Sequence, residues 1–534
     1  MKKLTYYTPI IFLLLFVSCT KNFDDLNRDP TKLNSGNIDP NYLLTSGQLE
    51  YGNMTEHQLY LIGPMVQILS STVDYYGGGD KYNRFLYAYN ERFFTDGQRM
   101  AAKFLEAKTL AEDKNAADNI NLIQICRIMR VLSMQRITDI YGDIPYFQDR
   151  NGVQQPKYDR QEDIYKDMLT TLDDAASKFD VNVQKATGDL FYDGDINRWK
   201  KFTYSLMLRV AMRLTKADPA MARLYAEKTA GKTFSDFTEN AILKLDGGSG
   251  AATQNKASNA LFADLPQVRW SKAFIDFLRD TDDPRLYVIT EKADTGLANN
   301  DNLEKGGFTY TKTFPAPAGS VYEVPKGMPN GYDMSGAKGI ATSPNYPGPT
   351  GTGANASPLG NYARPKQAVF VKKKDLPVFI ITYAETELLL AEATARGWNV
   401  GTLSAREHYK NAVISAMRSL EQLSGLLTMG TEVQAYADQH PLDDSSLEKS
   451  LKMINSQYWV ASLFDFPETW ANYRRSGYPE LVPVTYPGNE TNGTIPRRLT
   501  YPGSETSNNQ TNYLDAIKRL GGTDKITLRV WWDK

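Results

Sequence analysis

The sequence predicts a mostly α-helical fold of paired, tetratricopeptide-like helices, interrupted by one long loop-rich insert with little regular structure. Apolar residues recur three or four positions apart in two separate blocks, which is the stripe a helix turns toward its neighbours. Between the blocks, Gly, Pro, Asn, Ser and Tyr crowd together and the stripes thin out. The chain of 534 residues is 41% hydrophobic and 23% charged, an ordinary globular composition with ample material for a large core.

The N-terminus reads as an export and anchoring signal. Lys2 and Lys3 form a basic start, and Ile10 to Val17 is an unbroken apolar run of eight. A bilayer span needs roughly 20 such residues, so the run suits the core of a signal peptide. Ser18 and Cys19 follow at once and resemble the lipobox of bacterial lipoproteins, in which the cysteine is acylated and becomes the new N-terminus. Phe16 stands where that motif usually has Leu. Residues 1–18 are therefore expected to be a signal peptide, and residues 19–40, polar and rich in Asn, Asp and Pro, a flexible tether. The acidic pair Asp24–Asp25 resembles the surface-export signal of Bacteroidetes lipoproteins. Residues 41–534 are expected to form a single domain.

Its helical framework covers about 41–246 and 375–480. Residues 117–140 predict a helix stopped by Gly142 and Pro145. Asp159 to Phe179 places Ile164, Met168, Leu172, Ala175 and Phe179 on one stripe. Asn197 to Leu214 does the same with Trp199, Phe202, Leu206, Val210 and Leu214. In the second block, Ile380 to Arg396 predicts a helix closed by Gly397. Ser404 to Leu420 predicts its partner, and the spacing of Ala405, Tyr409 and Ala412 resembles the second helix of a tetratricopeptide repeat. No clean repeat period is present.

The insert, about 247–374, is the expected ligand side, because a long loop in a compact domain either has a task or is disordered. The tail predicts a short helix near Asn512 to Leu520 and a strand from Ile526 to Trp532.

Several function classes lose support. The formal net charge is −1, and removing the first 18 residues leaves 59 basic against 62 acidic residues, a charge of −3. No basic cluster favours nucleic acid. The only histidines, His57, His408 and His440, are widely spaced and match neither a zinc motif nor a catalytic triad, so no metal, cofactor or catalytic residue is assigned. Cys126, left alone once Cys19 is acylated, reads as a small core residue. The run Asp280, Asp282, Asp283 before Pro284 lacks the ligand spacing of a calcium loop and reads as a helix-end turn. Gly351 to Ala356 imitates a dinucleotide fingerprint without the flanking strand and helix that would aim its amides.

Aromatic residues carry the candidate site. The chain has 32 Tyr, most of them explained by helix packing. Tyr75 and Tyr76 precede the run Gly77–Gly79, and an aromatic on such a loop can stack on the apolar face of a sugar ring. Trp270 borders the insert ahead of Ser271, a good helix cap, and fits either a hydrophobic staple with Ile275 or a ligand platform. Tyr322, Tyr332, Tyr346 and Tyr362 lie on the insert and are further candidates. Trp199, Trp459 and Trp470 sit on helical stripes and read as core.

Several blocks resemble one family in order. They are the signal with Cys19, YGDIPYF from Tyr141, NRWKKFTYSLMLRVAMRL from Asn197, DTDDPRL from Asp280, ITYAETELLLAEATARGW from Ile381 and ETWANYRRSGYPEL from Glu468. Together they resemble the SusD/RagB family of Bacteroidetes outer-membrane nutrient-binding lipoproteins. The ending, IPRRLTYPGSE and RVWWDK, resembles the branch called SusD-like group two. The resemblance implies a non-enzymatic, lipid-anchored outer-membrane protein, facing the cell exterior, that binds oligosaccharide or oligopeptide. It also implies a SusC-like TonB-dependent transporter as partner. Ligand loops vary within the family, so no binding residue transfers. Two other readings stand beside it: a lipid-anchored glycoside hydrolase with paired carboxylates, and a scaffold that binds only proteins.

Overall fold

The computed structural model describes residues 38–54, 56, 58–71, 77–82, 87–148, 153–264, 268–292, 308–313, 317–331, 362–371, 373–486 and 488–534. The signal peptide, Cys19, Tyr75, Tyr76, Tyr332, Tyr346 and the 351–356 segment lie outside these.

Helices dominate. The first block holds α1 (Pro40–Asn53), α2 (Tyr87–Asn115), α3 (Ile120–Tyr141), α4 (Gln161–Lys178), α5 (Ile196–Arg213) and α6 (Pro219–Lys228). Each packs chiefly on its neighbour in sequence, α2 on α3, α3 on α4, α4 on α5 and α5 on α6, which is the paired arrangement expected. Local chemistry starts them: Asp39 caps α1 by accepting from the Asn41 amide at 2.9 Å, and Asp195 caps α5 by accepting from Asn197 at 2.9 Å. The two stripes read from sequence on α4 and α5 are buried throughout. Helix α3 is buried on nearly every face because α2 and α4 cover opposite sides of it, and Cys126 lies in its core.

Two helices, α7 (Lys256–Asp264) and α8 (Lys272–Asp280), lie in the stretch expected to hold little regular structure. A small sheet joins them there. Its strands β4 (Thr290–Lys292), β5 (Phe308–Thr309) and β6 (Ala363–Pro365) run in the order β5-β4-β6, antiparallel throughout. Each helix of nine residues offers too few turns to produce a visible stripe in sequence. The acidic run does close α8, with Asp283 buried and paired to Arg285 at 2.5 Å.

The second block comprises α9 (Tyr383–Ala395), α10 (Ala405–Leu423), α11 (Glu432–Gln439), α12 (Leu447–Ala461) and α13 (Phe466–Ser476), followed in the tail by α14 (Gln510–Arg519). Helix α9 starts later than expected. Val378–Ile381 forms β7, which pairs antiparallel with β2 (Ala241–Leu243), and Thr382 then caps the helix by accepting from Glu385. The β-branched Ile380 and Ile381 fit a pleated edge better than a helical turn. Helix α9 ends at Gly397, whose φ of +76° completes a Schellman turn, with Trp398 donating to Ala393 at 3.1 Å. Ser404 and Glu407 form a reciprocal capping box on α10.

The expected strand Ile526–Trp532 is absent. That segment runs as turns and coil, held by side chains rather than a ladder: Trp532 is fully buried and donates to Asp139 at 2.9 Å.

Buried ion pairs join the two blocks. Arg209 on α5 grips Glu385 on α9 at 2.5 and 2.6 Å, and Arg213 reaches Glu468 on α13 at 2.7 Å. Within the second block, Arg475 on α13 holds Glu392 on α9 at 2.6 and 2.7 Å. Burial alone would raise the Glu392 carboxyl, but the Arg475 and Arg396 guanidiniums outweigh it and hold the group down at about 2.

Candidate ligand-binding site

The site is assembled around one buried carboxylate. Strand β1 (Leu69–Ser71) pairs antiparallel with β3 (Val268–Trp270), setting Leu69 opposite Trp270 and Ser71 opposite Val268. The segment 326–331 then lies alongside: Met328 donates to the Trp270 carbonyl at 2.9 Å, and Lys272 donates to the Met328 carbonyl at 2.8 Å. Ser70 Oγ donates to the Pro329 carbonyl at 2.9 Å.

Asp80, fully buried, ties the ends together. Its Oδ1 accepts from Asn330 Nδ2 at 2.7 Å, and its Oδ2 accepts from the Gly331 amide and from Lys81 Nζ, each at 3.1 Å. Lys81 also donates to the Ser71 carbonyl at 3.1 Å, and Asn330 to the Leu69 carbonyl at 2.8 Å. Burial pushes the Asp80 carboxyl up from its ordinary value, with Lys81 and the amide donors opposing.

Glycine makes these approaches possible. A Cβ on Gly79 would stand 2.1 Å from the Leu61 carbonyl oxygen, and one on Gly327 would stand 2.2 Å from that of Ser271. Both obstacles are backbone, which cannot swing aside.

The consequence for the candidates is positional. Ser71 and Gly77 border the segment holding Tyr75 and Tyr76, and Gly331 immediately precedes Tyr332. Ala363, next to Tyr362, donates to the Lys326 carbonyl at 2.8 Å. Three stretches remote in sequence thus have their roots tied to one another. Tyr362 is mostly buried, and Tyr322 is half-buried with its hydroxyl accepting from the Thr313 amide at 3.2 Å.

Trp270 differs from the ligand-platform expectation. It is 0% exposed and packs against Phe274, Phe370 and Phe464 at ring distances of 5.3, 6.2 and 6.3 Å. Ser271 does cap α8, accepting from Phe274 at 3.1 Å. Pairing between β1 and β3 draws the indole inward, so no face of it is left for a ligand. Its core role prevails.

Beside the Asp80 node opens a cleft of about 470 Å³. Phe277 and the run Leu481–Val484 supply its apolar wall, and Val482 is 79% exposed there. Gln67, Asn330, Lys272, Asp276 and Glu480 bring polar groups to the same space. Gln67 is fixed by donating to the Val482 carbonyl at 2.6 Å. Apolar surface interleaved with amides and balanced charges suits a neutral amphipathic ligand.

The two carboxylates of the cleft stand at its rim in ion pairs, Asp276 with Arg279 at 2.7 Å and Glu480 with Lys452 at 2.8 Å. Among the described residues, no group of three or more His, Cys, Asp or Glu stands close enough to hold a metal ion, and no helix is long and apolar enough to cross a membrane. Sequence reasoning missed Phe277, Gln67 and Asn330. Only the Pro329–Asn330–Gly331 turn signal hinted at the last.

The stacked helices present an open, charge-balanced cleft beside the Asp80 node. Comparison with known proteins gives the family. A model described as "SusD-like_2: Starch-binding associating with outer membrane" matches residues 31–316 and 335–502, most of the chain, and the protein belongs to that family. Members of the family are non-catalytic binding proteins associated with the outer membrane, and this chain is one of them rather than an enzyme.

Solved structures agree. A protein titled chitin-binding protein is 28% identical, with a TM-score of 0.76 over 93% of this chain and 100% of its own. A Bacteroidetes AC2a SusD-like protein is 23% identical, with a TM-score of 0.75 over 93% and 100%. A SusD homologue from Bacteroides uniformis is 23% identical, with a TM-score of 0.69 over 92% and 99%. The last two establish the fold alone. Comparison with curated proteins returns no match.

Proposed function

We propose that this protein captures oligosaccharides at the cleft beside Asp80 and passes them, chemically unchanged, to a SusC-like TonB-dependent transporter. One observation carries the reading: the Asp80–Asn330 node gathers the roots of the 72–76, 332–361 and 326–328 segments beside an open amphipathic cleft. Tyr75, Tyr76, Tyr322, Tyr332 and Tyr362 are the aromatics assigned to meet the ligand. Sugar rings would stack on such rings while Asn330 and Gln67 take hydroxyls.

Family membership supports nutrient capture with a transporter partner, and the relative titled chitin-binding makes chito-oligosaccharides the first ligands to try. Acylation of Cys19 would hold the protein on the outer membrane, on its exterior face, with residues 19–40 as tether.

Titration calorimetry with chito-oligosaccharides, α-glucans and peptides tests the proposal. Binding of a glycan without product formation is the expected result. The double change Tyr75→Ala and Tyr76→Ala should weaken it by about tenfold or more, since each stacked ring contributes roughly 0.5–1.5 kcal/mol. Binding of peptides alone, or cleavage of the glycan, would overturn it. Anchoring is tested separately: Cys19→Ala should give a folded protein that fractionates away from the membrane.

A further inference from the structure

A second cleft, of about 300 Å³, opens on the other side of Phe277. Phe277 lines both clefts, and so do the same two helices. On α8, Ala273 faces the first cleft, Phe277 both, and Thr281, just past the helix end, the second. These positions are four apart and share one face. On α12, Lys452 and Ser456 face the second cleft and Trp459 the first. Going up in sequence, α8 thus runs from the first cleft to the second and α12 runs the opposite way. The helices are antiparallel neighbours, and the Trp459 ring lies 5.3 Å from Phe274 and 5.9 Å from Phe277 along their seam.

The far cleft also has the chemistry of a sugar subsite. His440 stacks on Tyr436 with ring centroids 4.2 Å apart, and Gln457 and Asp443 line the same space. The Phe277 ring is shared by the two clefts, and one ion pair links their linings. Lys452 of the second cleft reaches Glu480 of the first at 2.8 Å, with side chains 55% and 69% exposed. An ion pair so exposed contributes little and opens readily to another hydrogen-bonding partner.

We propose that the two clefts form one groove along the α8–α12 seam, in which a linear oligosaccharide lies lengthwise. Its first sugars occupy the cleft beside Asn330. The next cross Phe277, and the far end reaches the Tyr436–His440 pair in place of the Lys452–Glu480 bridge. From Lys272 to Thr281 the seam is about 14 Å long at 1.5 Å per residue, longer than a single sugar ring. The inference rests on the reading of the first cleft as a glycan site and adds to it a preference for longer chains.

Titration calorimetry of the full mature chain with chito-oligosaccharides, from the disaccharide to the hexasaccharide, tests it. Wild-type affinity should rise with length until the second cleft is filled. His440→Ala should cut affinity for the hexasaccharide fivefold or more and leave the shortest bound oligomer within twofold. Lys452→Glu, on an exposed side chain that the fold does not need, should do the same by setting two carboxylates at the crossing. Circular dichroism melts confirm that each variant is folded. Wild-type affinity for the hexasaccharide in both variants, or equal losses at every length, would overturn the extended groove while leaving the first cleft intact. No binding at any length in the wild type would remove both readings together.

Discussion

Asn330 donates its side-chain amide to the Asp80 carboxylate at 2.7 Å across 250 positions of sequence. The same amide reaches the Leu69 carbonyl at 2.8 Å, so one residue of the 317–331 segment fixes both the strand before the Tyr75–Tyr76 segment and the turn after it.

Removing that clamp should separate binding from folding only in part. Asn330→Ala leaves buried acceptors short of a donor, a loss of about 1–3 kcal/mol. Asp80→Asn is harsher, because Lys81 is buried beside it and would keep its charge without a partner, costing about 3–5 kcal/mol. Urea unfolding should rank the variants in that order, and calorimetry should find oligosaccharide affinity reduced in Asn330→Ala even where the protein is fully folded.

Close backbone approach makes two glycines sensitive to a single methyl. Gly79→Ala and Gly327→Ala each force a Cβ against a carbonyl oxygen and should destabilise by roughly 1–3 kcal/mol. Gly425→Ala, where nothing lies within 4 Å, is the control and should melt with the wild type. A shared melting temperature for all three would contradict the packing around β3.

Acid should act through Glu392. Its carboxyl is held at about 2 in the fold against an ordinary 4.5, so the folded state binds its proton less readily than the unfolded chain does. The stabilisation is therefore present above pH 4.5 and is lost as pH falls toward 2. It amounts to roughly 3 kcal/mol at 1.36 kcal/mol per unit. Chemical denaturation at a series of pH values should show this decline in the wild type. Glu392→Gln should be less stable at neutral pH and show a shallower decline.

Trp270→Phe should leave glycan affinity within twofold and cost about 1–2 kcal/mol of stability, as expected of a core ring. Among the described residues its indole N–H has no hydrogen-bond partner, so no polar contact is lost with the nitrogen. A large fall in affinity with unchanged stability would return Trp270 to the ligand.

Legibility followed the range of the interaction. The stripes of α4 and α5, the helix start at Ser404 and the Gly397 terminator are readable because each is written within a few residues. The same locality explains the misses. Ile380 and Ile381 read as helical in sequence because the strand they join, in which Ala241 pairs with Ile381 and Ile242 with Phe379, lies about 140 positions away. The tail reads as a strand because Val530 and Trp532 alternate like one, whereas Trp532 is buried in the core and donates to Asp139. Of the candidate site, the tyrosine and glycine segments were visible as composition. Phe277 and Gln67 were not, since nothing near them in sequence marks them as facing a cleft.

By itself the sequence determined that helices form, where several of them begin and end, and, through ordered blocks of resemblance, which family they build. Tertiary structure alone decided that Trp270 faces inward, that Asp80 meets Asn330, and that α8 and α12 both line the two clefts. Periodicity encodes which face of an element avoids water, but not which distant element covers that face. A binding site is made of the surfaces that such coverage leaves open.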